Sequence, residues 1–242
     1  MDVTSRAELL LKMLGDQQNS ISNNTALLLS GGIDSSLLLA TFNDKVIPYC
    51  IGFPGSHDIS FSEKLCDEFS LKLNIIETGE EMVRKAFMKV METDSNISFT
   101  DLGFETVFQI ACDNVEQNYI MTGQGADEIF YGYMKFRDGR ENSNKNSLEK
   151  LFNMTLPREM KIASSSGKDL IAPYLEKRIL ESFSALPYEI HVSGESNKII
   201  IREAGRIAGL PEFIISRPKK AAQYGSGING FLKKEFPGRR SR

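Results

Sequence analysis

Short unbroken apolar runs alternate with longer amphipathic segments in the first half of the chain. The apolar runs have the length of strands buried on both faces, and they occupy residues 25–29, 45–53, 73–77 and 119–122. The segments around them carry apolar residues at helical spacing and cover residues 4–14, 35–42, 62–69, 80–92 and 106–116. This order predicts an α/β fold with a parallel sheet and helices on both of its faces.

The pattern changes after Tyr133. Residues 137–150 are polar and contain few apolar positions, which predicts an exposed or mobile loop. Beyond this loop the apolar spacing is helical again, in residues 151–163, 175–185, 198–208 and 230–235. We therefore predict an α/β part in residues 1–135 and a helical part in residues 136–242, packed together as one compact domain.

The composition is that of an ordinary globular protein. The 242 residues are 41% hydrophobic and 25% charged, and 29 basic against 32 acidic residues give a net charge of −3. This balance provides no general attraction for nucleic acid. No apolar run approaches the ~20 residues that a membrane-spanning helix needs, and the N-terminus lacks the pattern of a secretory signal. Neither a membrane nor a nucleic acid is therefore expected as a partner.

The cysteines and histidines exclude several kinds of site. Cys50, Cys66 and Cys112 are an odd number without a CxxC spacing, which disfavours a disulfide framework or a cysteine zinc site and indicates a reducing cytoplasm. The two histidines, His57 and His191, do not form an HExxH motif. A histidine-based zinc protease or a Ser–His–Asp hydrolase is therefore not expected.

The first candidate site is the sequence SGGIDSS at residues 30–36, between a predicted strand and a predicted helix. Glycines allow a tight turn and close approach of a ligand, and the start of a helix offers free N–H groups to a phosphate. The loop is not a Walker A motif, because GxxxxGK[ST] is absent. A carboxylate among phosphates needs a bridging cation, so we assign Asp34 to Mg²⁺. A simple strand-to-helix turn with a serine cap is the alternative.

The second candidate site is the sequence TGQGADE at residues 122–128, which follows the last predicted strand of the α/β part. Open α/β sheets bind ligands at the carboxyl ends of their strands. Asp127 could therefore supply the second carboxylate for Mg²⁺ and pyrophosphate. A glycine-rich turn in which the aspartate caps a helix is the alternative.

A pair of basic residues, Arg217 and Lys219, lies in an irregular segment that contains a proline. Two cations at this spacing suit a clamp on an α-phosphate whose charge grows during reaction. A basic pair alone more often belongs to a solvated surface, so the assignment of this pair depends on the sequence around it.

Five segments in the same order along the chain carry a family resemblance. SGGIDSS is similar to the pyrophosphate loop of N-type ATP pyrophosphatases, and GQGADEIFYGY at residues 123–133 resembles the signature of asparagine synthetase B-type synthetase domains. Further similar segments are IGFPGSHD at residues 51–58, APYLE at residues 172–176 and the stretch from Lys198 to Gly227. Arg158 also resembles an arginine of the family's helical part.

The resemblance implies a fold and an activity. The fold is a five-stranded parallel sheet of the adenine nucleotide α-hydrolase type, followed by a helical part. The activity is that of an ATP- and Mg²⁺-dependent amide ligase: it adenylates a carboxylate, aspartate by resemblance, releases pyrophosphate and transfers ammonia to give asparagine and AMP.

The resemblance also assigns roles to residues. The catalytic residues would be Lys219, Asp127, Arg217 and Gln124, and Asp34 and Asp127 would hold the metal. The ATP-binding residues would be Leu29, Ser30, Gly31, Gly32, Asp34, Ser35, Ser36, Ile51, Gly52, Thr122 and Gly123, with Leu29, Ile51 and Gly52 around the adenine.

Two departures from the family affect the substrate. Gln124 stands where the family signature has glutamate, so an acceptor-only carboxylate is replaced by a neutral amide. Only 29 residues precede SGGIDSS, where the full-length family carries a glutaminase domain. We therefore expect free ammonia or a separate glutaminase as the nitrogen source. An even oligomer, such as a homodimer, is the default assembly for a protein of this kind.

Three alternative functions remain. The first is the same adenylation chemistry on another acid and amine, as in β-lactam synthetase. The second is a nucleic-acid-modifying enzyme with the same loop, such as a tRNA-thiolating enzyme. The third is a nucleotide-binding module without catalysis, against which the intact Asp34, Asp127 and Lys219 argue.

Overall fold

The computed structural model describes residues 1–194, 196–217 and 222–236. Five strands form one parallel sheet in the order β3-β2-β1-β4-β5. Their bounds are β1 Thr25–Leu28, β2 Val46–Gly52, β3 Asn74–Glu77, β4 Tyr119–Met121 and β5 Asp169–Ile171. The predicted α/β fold with a five-stranded parallel sheet is confirmed.

One or more helices precede β1 and separate each strand from the next up to β5. They are α1 Val3–Gly15, α2 Ile33–Phe42, α3 His57–Glu68, α4 Glu80–Thr93, α5 Phe99–Asn114, α6 Ala126–Ile129, α7 Met134–Arg137, α8 Lys145–Lys150 and α9 Leu156–Ser165. A 3₁₀ turn, Gln18–Ser20, follows α1, and a π-helical stretch, Leu151–Thr155, joins α8 to α9. After β5 come a 3₁₀ turn, Pro173–Leu175, and then α10 Lys177–Phe183, α11 Tyr188–His191, α12 Ile199–Ile207, α13 Glu212–Ile215, α14 Ala222–Gly225 and α15 Ile228–Glu235.

Two apolar cores lie on opposite faces of the sheet, because successive residues of a strand point to opposite sides. In β1, Leu27 packs into the first core and Ala26 into the second. The first core contains buried residues of α1, α2 and α12. The second contains buried residues of α4, α5, α9 and α15. Each core thus joins helices from both predicted parts of the chain.

Two features differ from the pattern-based predictions. The segment 137–150, predicted as a loop, contains the helix α8, and its Asn144 and Ser147 are buried. Asn144 donates a hydrogen bond to the Ser184 carbonyl at 3.0 Å, which fixes a polar segment that has little apolar content. Strand β5 lies within the part predicted to be helical; its three residues are too few to form a recognisable apolar run.

The strand order positions the candidate site. Along the chain β1 is followed by β2 on one side, and β4 pairs with β1 on the other side, so the order reverses between β1 and β4. Such a reversal leaves a crevice at the carboxyl ends of the two strands. Both glycine-containing sequences, at residues 30–36 and 122–128, begin at this crevice. In the described part of the chain, none of the helices combines the length and the apolar content needed to cross a membrane.

Candidate active site

The loop after β1 is a tight turn that leads directly into α2. Gly31 has a φ of +62°, and a Cβ there would lie 2.5 Å from Cβ of Phe61, so the position requires glycine. Gly32 precedes α2 and offers no side-chain cap to it. The first N–H groups of α2 therefore remain available to an anion.

The serines of this loop have different roles. Ser36 is fully buried and its hydroxyl donates to the Gly32 carbonyl at 2.8 Å, so it holds the turn together. The hydroxyls of Ser30 and Ser35 lie 3.4 Å apart, and both residues line the adjoining cavity. Of the three serines predicted to bind ATP, these two are placed to meet a ligand directly.

Asp34 and Asp127 lie on either side of one buried ammonium group. Asp34 is in the first turn of α2, and Asp127 is in α6, directly after the second glycine-containing sequence. Nζ of Lys198 lies 2.5 Å from Oδ2 of Asp34 and 2.5 Å from Oδ1 of Asp127. Burial acts to lower the pKa of Lys198, but the two carboxylates outweigh it, so its pKa is raised above the ordinary value.

Close backbone contacts bring the two carboxylates together. Gly123 packs against Asp34, whose Cβ would lie 3.1 Å from a Cβ at position 123. A Cβ at Gly132 would fall 1.9 Å from Oδ1 of Asp127 and 2.2 Å from Cε of Lys198. Neither position can carry a side chain without moving the acidic pair.

Gln124 contacts a carboxyl group that the sequence analysis did not identify. Its Nε2 donates to Oε1 of Glu159 at 2.8 Å, and Glu159 is 2% exposed. Burial, together with the nearby Glu105 and Glu128, holds the pKa of Glu159 well above its usual range. The amide at position 124 thus stands beside a carboxyl group supplied by α9.

Arg158 belongs to a buried ion network. It lies 2.9 Å from Glu105, 2.8 Å from Asp94 and 3.9 Å from Asp101. Burial raises the pKa of Glu105 to about 7, against the opposing effect of Arg158. The network ties α5 to α9 along one wall of the cavity.

Arg217 is fixed beside the loop at residues 30–36. Its guanidinium donates to the Ser30 carbonyl at 2.8 Å and to Oδ1 of Asp58 at 2.9 Å, and it stacks on the Phe61 ring with a centroid distance of 4.0 Å. These contacts hold the loop and α3 together. Lys219, the other cation of the predicted pair, lies outside the described residues.

One cavity of about 880 Å³ joins these groups, a volume within the usual range for ligand sites. The predicted site residues that line it are Leu29, Ser30, Gly32, Asp34, Ser35, Ile51, Thr122, Gly123, Gln124, Asp127 and Arg217. Gly31, Ser36 and Gly52 shape the surrounding backbone instead. The lining also includes Glu105, which stands outside the predicted site segments, and Glu128, Arg158, Lys198 and Tyr224, whose segments carry the family resemblance but which received no individual catalytic or binding role.

Two of the residues that gained a role only from the structure, Lys198 and Glu159, occupy positions that carried a signal in the sequence. Lys198 directly precedes an apolar helical segment, where a charged residue requires a partner once it is buried. Glu159 stands on the apolar side of α9 with Ile162 and Ala163. Their partners, at positions 34, 127 and 124, are distant in sequence, so the pairings became visible only in the fold.

Comparisons with known proteins identify the family to which the chain is similar. The family described as Asparagine synthase matches residues 16–161 and 146–236. A putative glutamine-hydrolysing asparagine synthetase of Methanocaldococcus jannaschii is 28% identical over 250 residues, covering 85% of this chain and 46% of the relative. The human glutamine-hydrolysing asparagine synthetase is 25% identical over 229 residues, covering 86% of this chain and 40% of the relative.

Among solved structures, NMN synthetase from Francisella tularensis aligns with a TM-score of 0.47 and 14% identity, covering 92% of this chain and 77% of the other. The chain spans less than half the length of the two curated relatives above. Because the family match extends over most of the sequence, the chain belongs to the asparagine synthase family.

Proposed function

We propose that the chain catalyses ATP-dependent amide formation, in which a carboxylate is adenylated and an amine then displaces AMP. The observation that carries this proposal is the meeting of the loop at residues 30–36 with the acidic pair Asp34 and Asp127 in one cavity, at the reversal of strand order. In α/β proteins this crevice is the usual place for a nucleotide. Membership of the asparagine synthase family supports the same chemistry.

The first step would form a bond between a substrate carboxylate oxygen and the α-phosphorus and break the bond to the bridging oxygen of pyrophosphate. The free N–H groups of α2 and the hydroxyls of Ser30 and Ser35 would bind the departing phosphates. We assign Lys219 to the negative charge that develops at the α-phosphorus, with Lys198 close to the phosphates. Leu29 and Ile51 would border the adenine.

Asp34 and Asp127 would hold a magnesium ion together with the phosphates. Magnesium takes oxygen ligands and commonly uses one or two carboxylates plus the phosphates of its substrate. Oδ1 of Asp34 is buried and has no hydrogen-bond partner among the described residues, so the donor set fits. When bound, the ion would neutralise charge on the pyrophosphate.

In the second step, the amine nitrogen would attack the acyl carbon and AMP would leave with the electron pair of the broken C–O bond. The nucleophile must lose a proton in this step. Glu105, which lines the cavity beside Arg158 and whose pKa burial raises to about 7, would take that proton, and Gln124, bonded to the buried Glu159, would help to position the amine.

Within this chemistry, the family relationship favours the β-carboxylate of aspartate, ammonia, and the products asparagine and AMP. Ammonia would come free from solution or from a glutaminase. A second candidate is the same adenylation with another acid and amine. The observation that favours it is Gln124, which stands at the position of the family glutamate and is bonded to Glu159.

The test is pyrophosphate release from ATP and Mg²⁺ with a panel of amino acids, with and without ammonium. Asp34→Asn removes one carboxylate charge from the acidic pair, and the exposed Asp44→Asn is the matched control. We expect release that depends on one acid, forms AMP and an amide with an amine present, and falls at least about 100-fold in Asp34→Asn. Pyrophosphate release with aspartate would support asparagine formation. Pyrophosphate release with another acid would support the second candidate function. No release with any acid, despite ATP binding, would contradict the ligase proposal.

A further inference from the structure

Lys198 occupies the place between the two carboxylates where a metal ion would be expected. Its side chain is 1% exposed, and one nitrogen contacts an oxygen of Asp34 and an oxygen of Asp127 at 2.5 Å each. A magnesium ion bridging the same two oxygens would need to lie about 2.1 Å from each. The ammonium and a metal ion shared by this pair would therefore occupy nearly the same space.

The lysine is held in this place by the backbone around it. Lys198 has a φ of +56° and directly precedes α12. The preceding side chain, Asn197, donates to the Gly132 carbonyl at 2.7 Å, and the Gly132 amide donates to the Asp127 carbonyl at 2.8 Å. These bonds join the start of α12 to the turn after α6. The lysine is thus part of the frame that sets the position of Asp127.

We propose that Lys198 is a positioning residue that keeps free divalent metal away from Asp34 and Asp127, so that metal enters only together with the nucleotide. This inference rests on the proposed function. Two carboxylates and one ammonium carry a net charge of −1, so a divalent ion arriving alone would leave a buried net charge of +1 while the lysine remains. The phosphates of ATP bring the negative charge that can accept the displaced ammonium. Metal and nucleotide therefore bind cooperatively.

The test measures binding of Mn²⁺, a paramagnetic substitute for Mg²⁺, by water-proton relaxation without nucleotide. The variants are Lys198→Met, which removes the competing charge, and Lys177→Met, the same change at a side chain that is 83% exposed. We expect Lys198→Met to bind Mn²⁺ at least about tenfold more tightly than wild type, because a cation at contact distance is removed. The double variant with Asp34→Asn should lose this gain, and Lys177→Met should match wild type.

Binding of the Mn²⁺ complex of α,β-methylene-ATP, which cannot be cleaved between the α and β phosphates, is measured in parallel. If wild type binds this complex in a way that depends on Asp34, the metal assignment of the proposed function stands. If Lys198→Met then binds free Mn²⁺ no better than wild type, the role proposed for Lys198 is wrong. Failure of wild type to bind the complex would instead count against the proposed function.

Removing a buried lysine can prevent folding, so two further measurements keep the proposal open to refutation. Lys198→Gln keeps a hydrogen-bond donor between the carboxylates without the charge, and it should show the same gain in Mn²⁺ affinity. Wild type itself should show no Asp34-dependent site for free Mn²⁺ below millimolar concentration. A tight site in wild type that Asp34→Asn removes would overturn the proposal without any change at Lys198.

Discussion

At position 124 an amide side chain can donate a hydrogen bond to a neighbouring carboxyl group, which an ionised carboxylate cannot do. The amide of Gln124 donates a hydrogen bond to Glu159 at 2.8 Å, inside a region that already holds Glu105 and Glu128 as buried acids. A glutamate at position 124 would place two carboxyl groups within hydrogen-bond distance. Because neighbouring buried carboxylates cannot both ionise cheaply, one of them would keep a proton to high pH.

Gln124→Glu should therefore make stability depend on pH. In wild type the raised pKa of Glu159 already retains one proton, and the variant adds a second carboxyl group whose pKa its acidic neighbours raise. The unfolded chain releases this additional proton near pH 4.5, so the free energy of unfolding should fall more than that of wild type as the pH rises above this value. We expect a loss of about 1–3 kcal/mol between pH 5 and pH 8 relative to wild type. Urea unfolding across this range measures it, with the exposed Asn19→Asp as the control. If the free energies of unfolding of Gln124→Glu and wild type changed with pH in parallel, the glutamate side chain would be able to move away from Glu159, and the prediction would be wrong.

His191 gives a pH dependence of the opposite sign. Its ring is fully buried and stacks on Tyr131 with a centroid distance of 4.8 Å. Burial, with a smaller contribution from Arg6, lowers the pKa of His191 to about 4. The unfolded imidazole takes up its proton near pH 6.5. Between these values the unfolded state binds more protons, so stability present above pH 6.5 is lost as the pH falls towards 4.

His191→Phe should remove this acid sensitivity. Between pH 6.5 and pH 4, wild type should lose up to about 3 kcal/mol more than the variant does. Thermal unfolding at a series of pH values measures the difference. The control is His57→Phe, the same substitution at a ring that is exposed. A variant curve with the slope of wild type would mean that His191 is not the group responsible.

At the scale of elements, the turn after α6 and the start of α12 form one unit around Asp127. Gly132→Ala would place a methyl group 1.9 Å from Oδ1 of Asp127 and 2.2 Å from Cε of Lys198. We expect destabilisation of at least about 2 kcal/mol and loss of ATP-dependent pyrophosphate release, because an overpacked turn must move one of these groups. Gly15→Ala, where an added Cβ meets nothing within 4 Å, is the control for stability and activity. If Gly132→Ala kept the stability and the pyrophosphate release of wild type, the turn would be able to accommodate the methyl group without displacing Asp127 or Lys198.

The elements that sequence pattern predicted well are those whose whole length carries an apolar or amphipathic pattern. Helix α4 was predicted at residues 80–92 and is observed at Glu80–Thr93, and β3 was predicted at residues 73–77 and is observed at Asn74–Glu77. Helix α5 begins at Phe99, seven residues before its prediction, since Ser98 caps it by accepting from the Asp101 amide. Strand β5 and helix α8 depend on tertiary partners, so their local patterns were too weak to reveal them.

The candidate site likewise has parts that the local sequence pattern reveals and parts that it does not. The loop at residues 30–36 and the segment at 122–128 are continuous in sequence, and the strand order brings both to one cavity. Lys198, directly before α12, lines the cavity and pairs with Asp34, and the buried Glu159 of α9 pairs with the lining residue Gln124. Pairings over such separations depend on the packing of α9 and α12 on the sheet, which no local pattern contains.

At the scale of the whole molecule, both apolar cores require the two predicted parts of the chain. Ile200 and Ala204 of α12 pack into the core that holds α1 and α2, and Leu232 of α15 packs into the core of α4 and α5. Strand β5 completes the sheet beside β4 with residues from beyond position 135. Residues 1–135 alone would thus leave an unpaired sheet edge and apolar surface exposed on both faces.

We therefore expect the chain to unfold in one cooperative transition, and residues 1–135 to form no stable fold by themselves. Far-UV circular dichroism reports the helices and near-UV circular dichroism the packing of the 7 tyrosines, and the two urea curves of the full chain should coincide. The fragment 1–135 should give a broad transition without a native baseline, and adding residues 136–242 as a separate fragment should restore part of the near-UV signal. Two separated transitions in the full chain, or cooperative unfolding of the fragment, would show that the two parts are independent units. In that case the acidic pair and Lys198 would belong to separately folding units, and the geometry of the site would depend on how the units dock.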